Sequence, residues 1–231
     1  MDLGIRDLRV LVTAGASGIG LATAHAFLRE GARVHVCDVD ESGLSPLRGA
    51  MGATVCDVSS PAAVATLFED VQRSLGGLDA LVNIAGTFRF EKVGDGALDT
   101  WDFLYRVNLR TAVAASKAAL PFLLHGNAAS IVNIGAMGAV KAGAGMGAYA
   151  ASKAGIFRLT EALAEELKDK DITVNALLPS IIDTAPNRAD MPKSDFSKWV
   201  KPEEIADVIV FLLSAHARAI TGALIPVSGR V

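Results

Sequence analysis

The sequence predicts an α/β protein built on an open, doubly wound parallel sheet of seven strands. Seven short apolar runs, rich in β-branched residues, alternate with longer segments of helical periodicity. The runs are almost continuously apolar, as expected for parallel strands buried on both faces. Strand–helix alternation implies right-handed crossovers between parallel strands. No linker, repeat or low-complexity segment interrupts this pattern, so residues 1–231 are expected to form one domain.

Each element is located by its own local pattern. The strand candidates are Arg9–Val12, Arg33–Cys37, Thr54–Cys56, Ala80–Val82, Ser130–Ile134, Thr173–Leu177 and Leu224–Val227. The main helix candidates lie between them, at Ile19–Glu30, Ala62–Leu75, Thr100–Leu124, Tyr149–Lys168 and Pro202–Ser214. Two helix starts are also marked by proline, because Ser60 precedes Pro61 and Pro202 precedes two glutamates.

Composition argues against several classes of protein. Hydrophobic residues make up 51% of the chain and the net charge is −3, so a large core is expected without the basic surface of a nucleic-acid-binding protein. The charge-free stretches Val10–Leu28 and Ala118–Val140 contain glycine or proline inside them. They therefore fit strand–loop–helix segments better than membrane spans, and no membrane association is expected.

The cysteines and histidines indicate neither a disulfide framework nor a metal site. Cys37 and Cys56 are too few for a framework and are expected to be buried free thiols of a cytoplasmic protein. The four histidines show no ligand spacing with cysteines or carboxylates, so no metal is predicted.

A glycine-rich turn follows the first strand and opens the first helix. Such a turn brings the backbone close to a pyrophosphate, whose charge the helix N-terminus stabilises. An acid, Asp38, lies near the end of the second strand, about twenty residues further on, as the dinucleotide motif requires. A carboxylate there accepts hydrogen bonds from ribose hydroxyls and repels a 2′-phosphate, and neither Arg nor Lys follows it directly. The pattern favours NAD(H), bound in the turn by Gly15, Ser17, Gly18, Ile19 and Gly20.

Two further turns fall at the same edge of the predicted sheet. Asp57 and Val58 follow the third strand, and Asn83-Ile84-Ala85-Gly86 follows the fourth. We expect Asp57, Val58, Asn83, Ala85 and Gly86 to face the adenine and ribose of the dinucleotide. Each turn taken separately also fits an ordinary surface turn.

Tyr149 and Lys153 are four residues apart, which places them on one face of a helix. A phenol ionises near pH ~10 and is therefore a poor acid or base at neutral pH. A nearby ammonium favours the phenolate and brings the pKa of the tyrosine closer to the useful range. Taken alone, the pair also fits two residues that simply pack on a helix.

Together these motifs resemble the short-chain dehydrogenase/reductase family over nearly the whole chain. The residues that carry the resemblance are the glycine-rich turn, Asp38, Asp57, Asn83–Gly86, Asn108, Tyr149 with Lys153, and Pro179–Thr184. The resemblance implies a Rossmann-like fold with seven parallel strands and reversible hydride transfer to or from a small molecule. It also implies a homodimer or homotetramer, formed through the helices Thr100–Leu124 and Tyr149–Lys168, whose small residues equally suit packing on the sheet.

The resemblance assigns a role to each residue of the predicted centre. It makes Tyr149 the proton donor or acceptor, and Lys153 the residue that binds the nicotinamide ribose and lowers the pKa of Tyr149. Asn108 is expected to hold a water in a proton relay, or alternatively to be a buried asparagine bonded to backbone. Pro179, Ile182 and Thr184 belong to the segment expected to contact the nicotinamide carboxamide.

Two positions depart from the family pattern. Ala14 replaces the first glycine of the turn, and its methyl group is tolerated if the local φ is negative. Ala136 stands thirteen residues before Tyr149, where the family has its catalytic serine, and Gly135 beside it offers no hydroxyl. Loss of one such donor typically costs about 10²–10³ in rate. A water or another donor replaces the hydroxyl, the substrate develops no oxyanion, or the protein binds NAD without much catalysis.

A segment near the C-terminus bears on these three alternatives. Residues 178–199 are similar to the corresponding part of dihydropteridine reductase, a member of the superfamily that uses NADH and also lacks the serine. Its substrate takes the hydride at a conjugated C=N system, so no alkoxide forms. We expect an NAD(H)-dependent oxidoreductase acting on a small carbonyl, alcohol or cyclic imine-like substrate. The alternatives are a dihydropteridine reductase-like enzyme and a non-catalytic NAD-binding sensor.

The substrate is expected to be held by Ala136, Met137, Arg188 and Trp199. The last two belong to a short substrate loop at about 184–201. Closure of such a loop over a small substrate would exclude water. Alternatively, Phe196 and Trp199 simply bury a short helix.

Overall fold

The computed structural model describes residues 2–126 and 128–231. Within these residues, seven parallel strands form one sheet, as the sequence predicts, and their order is β3-β2-β1-β4-β5-β6-β7. The strands are β1 Arg9–Thr13, β2 Arg33–Asp38, β3 Gly52–Val55, β4 Ala80–Asn83, β5 Ser130–Ile134, β6 Thr173–Pro179 and β7 Leu224–Val227. The described part of the chain contains no helix long and apolar enough to cross a membrane.

Helices cover both faces of this sheet. They are α1 Gly18–Arg29, α2 Glu41–Leu44, α3 Pro61–Leu75, α4 Leu98–Tyr105, α5 Thr111–Leu123, α6 Gly147–Leu167, α7 Ala185–Asp190 and α8 Pro202–Leu212. On β1, Val10 and Val12 join the core under α1 and α8, whereas Leu11 joins the core under α3, α5 and α6. The three central positions of the strand are apolar because both of its faces are buried there.

The long predicted helix Thr100–Leu124 is interrupted in the structure. It is replaced by α4, a π-helical turn at Arg106–Arg110, and α5. The turn widens the backbone hydrogen-bond spacing, and within it Asn108 is buried. A local change of this kind leaves the apolar periodicity almost intact, so the sequence pattern does not reveal it. The short helices α2 and α7 were missed because four to six residues are too few for a periodic pattern.

Both cysteines are buried free thiols, as predicted. Burial raises the pKa of the Cys37 thiol well above its ordinary value and that of Cys56 to about 11. Both side chains are therefore protonated and unreactive at neutral pH.

The turn between β1 and α1 depends on very close backbone contacts. A Cβ atom on Gly20 would lie 1.9 Å from the carbonyl oxygen of Ala14, and one on Gly15 would lie 2.5 Å from the Cβ of Val36 on β2. Glycine is therefore required at both positions, because any side chain there would clash with these neighbouring atoms.

The structure contradicts the condition under which Ala14 was expected to be harmless. Its φ is +54°, in the left-handed region, not negative. A side chain in this conformation costs about 1–2 kcal/mol, because Cβ approaches the following carbonyl oxygen. The backbone of Gly20 lies against the carbonyl group of Ala14, and this close approach holds Ala14 in the left-handed conformation.

Ala14→Gly is expected to raise the free energy of unfolding by about 0.5–1 kcal/mol. Relief of the strain exceeds the roughly 0.5–1 kcal/mol of extra unfolded-state entropy that glycine brings. Urea unfolding measures the change. Ala16→Gly, two residues away at a position without positive φ, is the matched control and should lower stability. A loss of stability in both variants would show that Ala14 is not strained.

His35 on β2 lies in a buried polar network. Its Nδ1 is 2.7 Å from the Ser74 hydroxyl and its Nε2 is 2.9 Å from the Thr54 hydroxyl, which itself donates to Asp70 at 2.8 Å. Because the Thr54 proton is already used, Nε2 carries the proton of a neutral ring and Nδ1 accepts from Ser74. Burial lowers the pKa of His35 to about 4.

Acid should therefore destabilise the fold through His35. The unfolded state takes up a proton near pH ~6.5 and the folded state only near pH ~4, so stability falls as the pH drops through this window. Between about pH 7.5 and pH 5 the expected loss from this residue is about 2 kcal/mol, measured by urea unfolding. In His35→Gln, that part of the pH dependence should disappear. An unchanged pH dependence in the variant would contradict the assignment.

Candidate functional site

Loops that follow β1, β4, β5 and β6 enclose a cavity of about 670 Å³. Because all strands are parallel, these loops share one edge of the sheet, and the chain reverses its direction of winding between β1 and β4. Ligands of open α/β sheets bind in the crevice at this point.

Most of the residues predicted to form the site line this cavity. They are Ser17, Gly18, Ile19, Gly20, Gly86, Ala136, Met137, Tyr149, Lys153, Pro179, Ile182 and Thr184. Sequence reasoning missed other residues of the wall, including Phe88 and Met146. Apolar side chains in loops carry no chemical signal that would mark them as part of a site.

Tyr149 and Lys153 both project from α6 into the cavity, as their spacing predicts. Lys153 is 5% exposed, and its Nζ donates a hydrogen bond of 2.8 Å to the carbonyl oxygen of Ile134 at the end of β5. A Cβ atom on Gly86 would lie 3.0 Å from this Nζ. Glycine at that position therefore leaves room beside the ammonium group.

Burial governs the ionisation of this pair. It raises the pKa of Tyr149 to about 12 and lowers that of Lys153 to about 8. The expectation that the lysine brings the pKa of the tyrosine down is wrong for this geometry, because loss of water disfavours both charged forms. Tyr149 is consequently a neutral hydroxyl at pH 7, able to donate a proton.

The side chain of Asn108 is bonded to protein groups on two sides. Its Oδ1 accepts from the Thr87 N–H at 2.6 Å, and its Nδ2 donates to the Thr87 carbonyl oxygen at 3.0 Å and to the Ser152 hydroxyl at 2.9 Å. Ser152 in turn donates to the carbonyl oxygen of Tyr149 at 2.7 Å. This favours the alternative of a buried asparagine bonded to backbone, which fixes the β4 loop against the start of α6.

Asn83 turns its amide group into the protein interior, away from the predicted cofactor contact. Its Nδ2 donates to Ser116 at 3.1 Å and to the Oδ1 of Asn133 at 2.9 Å, and Asn133 donates to Thr160 at 2.9 Å. Two neighbouring strands and two helices are thereby joined. The side chain of Asn83 is positioned to brace β4, not to touch a ligand.

Thr13 is a positioning residue that sequence reasoning did not single out. Its hydroxyl oxygen accepts hydrogen bonds from the N–H groups of Ile84 at 2.9 Å and Ala85 at 3.1 Å. The end of β1 is thus fastened to the loop after β4, and the backbone N–H of Ala85 is used internally. A β-branched residue at a strand end is ordinary, so no sequence pattern marks this threonine as part of a site.

Asp38 lies at the end of β2 beside the glycine-rich turn, where the motif places it. Its carboxylate accepts from the N–H groups of Ala16 at 3.0 Å and Asp40 at 3.1 Å. These bonds hold the turn against β2 and leave further lone pairs on the carboxylate oxygens.

The turn after β3 is less well placed for the expected contacts. The Asp57 carboxylate is exposed and accepts a hydrogen bond from the N–H of Ser59 at 2.9 Å. Hydrogen bonds from the Ser59 hydroxyl and from this N–H lower the pKa of the Asp57 carboxyl. Val58 is buried in the hydrophobic core under α3. Any contact from Val58 to an adenine would have to come from its backbone.

The structure contradicts the two substrate contacts predicted in the loop at 184–201, because neither Arg188 nor Trp199 lines the cavity. Arg188 donates to both carboxylate oxygens of Asp183, at 2.5 and 2.7 Å, and its guanidinium lies 4.9 Å from the centre of the Phe196 ring. Trp199 is 5% exposed and packs on Phe196, with ring centres 4.7 Å apart. Arg188 and Trp199 thus both contact Phe196 within the loop. Asn187 and Met191 of this loop line the cavity instead.

The shape of the site suits a dinucleotide. The N-terminus of α1 opens on the cavity, its N-cap residue Ser17 makes no side-chain cap bond, and a Cβ on Gly18 would meet nothing within 4 Å. Free N–H groups and space at the start of a helix accommodate a pyrophosphate. Across residues 2–126 and 128–231, no three His, Cys, Asp or Glu side chains are placed to share a metal ion.

Comparison with known proteins gives matches along nearly the whole chain. A family model described as Enoyl-(Acyl carrier protein) reductase matches residues 13–229. The 2-(S)-hydroxypropyl-CoM dehydrogenase 3 of Xanthobacter autotrophicus is 34% identical over 251 aligned positions, which cover 99% of this chain and 98% of that protein.

Solved structures of similar proteins hold either dinucleotide. The NADPH-bound short chain oxidoreductase of Pseudomonas aeruginosa PAO1, described as containing an atypical catalytic center, has a TM-score of 0.90 at 29% identity and 97% coverage of both chains. The 3-ketoacyl-(acyl-carrier-protein) reductase of Brucella melitensis, complexed with NADH, has a TM-score of 0.88 at 26% identity and 98% coverage of both chains. The fold, the cavity at the sheet edge and these matches show that the chain belongs to the short-chain dehydrogenase/reductase family of oxidoreductases, which bind a nicotinamide cofactor.

Proposed function

We propose that the protein is an NAD(H)-dependent oxidoreductase acting on a small carbonyl, alcohol or cyclic imine-like substrate. The observation that carries the proposal is the position of Tyr149 and Lys153, which line the same cavity as the glycine-rich turn. One cavity thereby contains both a hydroxyl for proton transfer and a backbone turn suited to binding a dinucleotide.

The bound dinucleotide supplies the hydride in reduction and accepts it in oxidation. In reduction, the substrate carbon gains the hydride, and its oxygen or nitrogen gains the proton of the Tyr149 hydroxyl. Solvent then returns a proton to Tyr149, so charge and atoms balance. The pKa of about 12 keeps that hydroxyl protonated until the substrate withdraws its proton.

Lys153 is the residue we assign to the nicotinamide ribose. One of its three donors is used by the Ile134 carbonyl group, which leaves two for ribose hydroxyls. Asn108 has the task of holding the start of α6 through Thr87 and Ser152. Pro179, Ile182 and Thr184 form the wall assigned to the nicotinamide carboxamide.

Ala136 supports a substrate that does not develop a full oxyanion. Its methyl group lines the cavity where the family has a serine hydroxyl, and it is 7% exposed. A cyclic imine-like substrate, as in a dihydropteridine reductase-like enzyme, is the second candidate, because a C=N group needs no such donor. Retention of Tyr149 argues against a mere NAD sensor, which would need only the ribose contact of Lys153.

We also propose a homodimer or homotetramer in the cytoplasm. The small residues Ala112 and Ala115 are buried in the core of the fold, so they do not form the interface. Trp101, Tyr105 and Val113 instead present apolar surface on the outside of α4 and α5. Such surface is the kind that protein–protein contacts cover.

NADH should bind at least tenfold more tightly than NADPH, measured by titrating the fluorescence of each dinucleotide. The Asp38 carboxylate accepts bonds from ribose hydroxyls and repels a 2′-phosphate, and tenfold corresponds to about 1.4 kcal/mol. Asp38→Ser should narrow the difference. Asp57→Ser is the matched control, because that carboxylate only caps its own turn, and it should leave the preference unchanged. Tighter binding of NADPH would refute the assignment of Asp38.

Tyr149→Phe should lower turnover by about 10²–10⁴ while the dissociation constant for NADH changes less than threefold. The substitution removes only the proton that the substrate receives. Oxidation of NADH is followed with ketones and quinonoid dihydropterin, and reduction of NAD with secondary alcohols. Tight NADH binding by the unsubstituted protein without turnover on any of these compounds would favour the sensor.

The same assay with Ala136→Ser separates the two enzyme candidates. Ketone reduction should rise about tenfold or more if the missing hydroxyl limits an ordinary carbonyl reductase. No gain on ketones, with turnover of dihydropterin intact, would point to the cyclic imine-like substrate. Ala139→Ser, which adds a hydroxyl outside the cavity wall, is the matched control.

A further inference from the structure

The cavity that Tyr149 lines presents mostly apolar surface. Three methionines, Met137, Met146 and Met191, line it together with Phe88 and Ala136. Thioether side chains are flexible and polarisable, so they adapt to varied apolar shapes. We call this group of five residues the apolar wall.

Phe88 places the wall directly against the ring of Tyr149. Its ring meets the Tyr149 ring edge to face, with centres 4.9 Å apart and planes at 80°. Phe88 is nevertheless 50% exposed, so half of its surface is free to contact another molecule. The wall therefore offers an exposed aromatic ring beside Tyr149.

Met146 completes the wall from the glycine-rich loop before α6. A Cβ atom on Gly138 would lie 2.7 Å from the Met146 Cε, and one on Gly143 would lie 3.6 Å from its Sδ. The Met146 thioether therefore packs against the backbone of two glycines, Gly138 and Gly143, which have no side chains to displace it.

Two polar side chains of the cavity wall, Ser180 and Asn187, are bonded within the protein. The hydroxyl of Ser180 donates to the carbonyl oxygen of Ser228 at 2.7 Å, and the amide of Asn187 donates to that of Ile182 at 2.8 Å. The Tyr149 hydroxyl, in contrast, makes no hydrogen bond with residues 2–126 or 128–231. It is therefore free to bind a polar atom of the substrate.

Cationic side chains that would hold an anion are turned elsewhere. Arg188 is paired with Asp183, and the guanidinium of Arg89 lies 3.6 Å from the centre of the Phe103 ring. In the described part of the chain, Lys153 is the cation of the cavity wall, and the donors that Ile134 leaves free are those assigned to the nicotinamide ribose. An anionic substrate would lose its water here without gaining a partner, which is strongly unfavourable.

We propose that the substrate is an uncharged, largely apolar molecule with a single carbonyl, hydroxyl or imine group, selected by the apolar wall. The inference rests on the proposed function and adds the class of compound that the site accepts. Carboxylates, sulfonates and phosphates are rejected because the wall offers them no cation, and small neutral cyclic ketones are accepted.

The test compares the methyl ester of a cyclohexanone carboxylic acid with the corresponding carboxylate. The two compounds share shape and reacting carbonyl and differ in charge. The ester should exceed the carboxylate in kcat/KM by about 100-fold or more, because the desolvated anion has no partner. Equal values for the two compounds would overturn the inference and leave the proposed function standing.

Met146→Lys supplies the missing cation and should reverse the preference. It should raise kcat/KM for the carboxylate and lower it for the ester, whereas Met146→Leu should keep the original order. Val140→Lys adds the same charge at a position that is 63% exposed and outside the cavity wall, and should change neither value by more than about twofold. An unchanged preference in Met146→Lys would contradict the placement of Met146 in the substrate site.

A binding measurement separates this inference from the proposed function. Tyr149→Phe protein saturated with NADH is titrated with each compound by calorimetry, where slow turnover does not interfere. The ester should bind at least tenfold more tightly than the carboxylate even if the unsubstituted protein turns over neither. Equal affinities would overturn the apolar class, whereas absence of turnover with the expected binding order would overturn only the enzymatic activity.

Discussion

The junction between β1 and β4 is the constraint on which the site depends. These two strands are neighbours at the centre of the sheet, and the chain winds outward from them in opposite directions. Thr13 fastens the end of β1 to the backbone of Ile84 and Ala85. The glycine-rich turn, the β4 loop and Gly86 therefore keep one relative position, and the cavity opens where they meet.

Burial then sets the chemistry of that cavity. Lys153 is held as a buried cation by a single carbonyl group, and loss of water raises the pKa of Tyr149 instead of lowering it. The pair is thus a protonated hydroxyl beside a cation with donors to spare. An arrangement of this kind suits the donation of a proton to a substrate that is being reduced.

The missing serine and the apolar wall agree with each other. Ala136 removes a donor from the side of the cavity that Met137, Met146 and Phe88 have already made apolar. A neutral substrate with one polar atom needs a single donor there, and Tyr149 provides it. The absence of a hydroxyl at Ala136 is therefore consistent with the rest of the wall and need not reflect a damaged site.

The sequence by itself determined the sheet, the strand positions, and the residues of the glycine-rich turn and α6 that line the cavity. Apolar runs buried on both faces, glycine at close approaches and a four-residue helical spacing are local signals. The seven-stranded parallel sheet and the matched family agree with what these signals predict.

The directions of individual side chains were decided only by the tertiary structure. Asn83 turns inward to Asn133, Arg188 turns to Asp183, and Trp199 is buried against Phe196. Each of these side chains contacts another protein residue, although solvent or a ligand was an equally available partner. The amino-acid composition of a loop does not reveal which of these partners lies nearest. The positive φ of Ala14 and the π-helical turn at Asn108 have the same origin, because contacts across the fold impose conformations that local preference would not select.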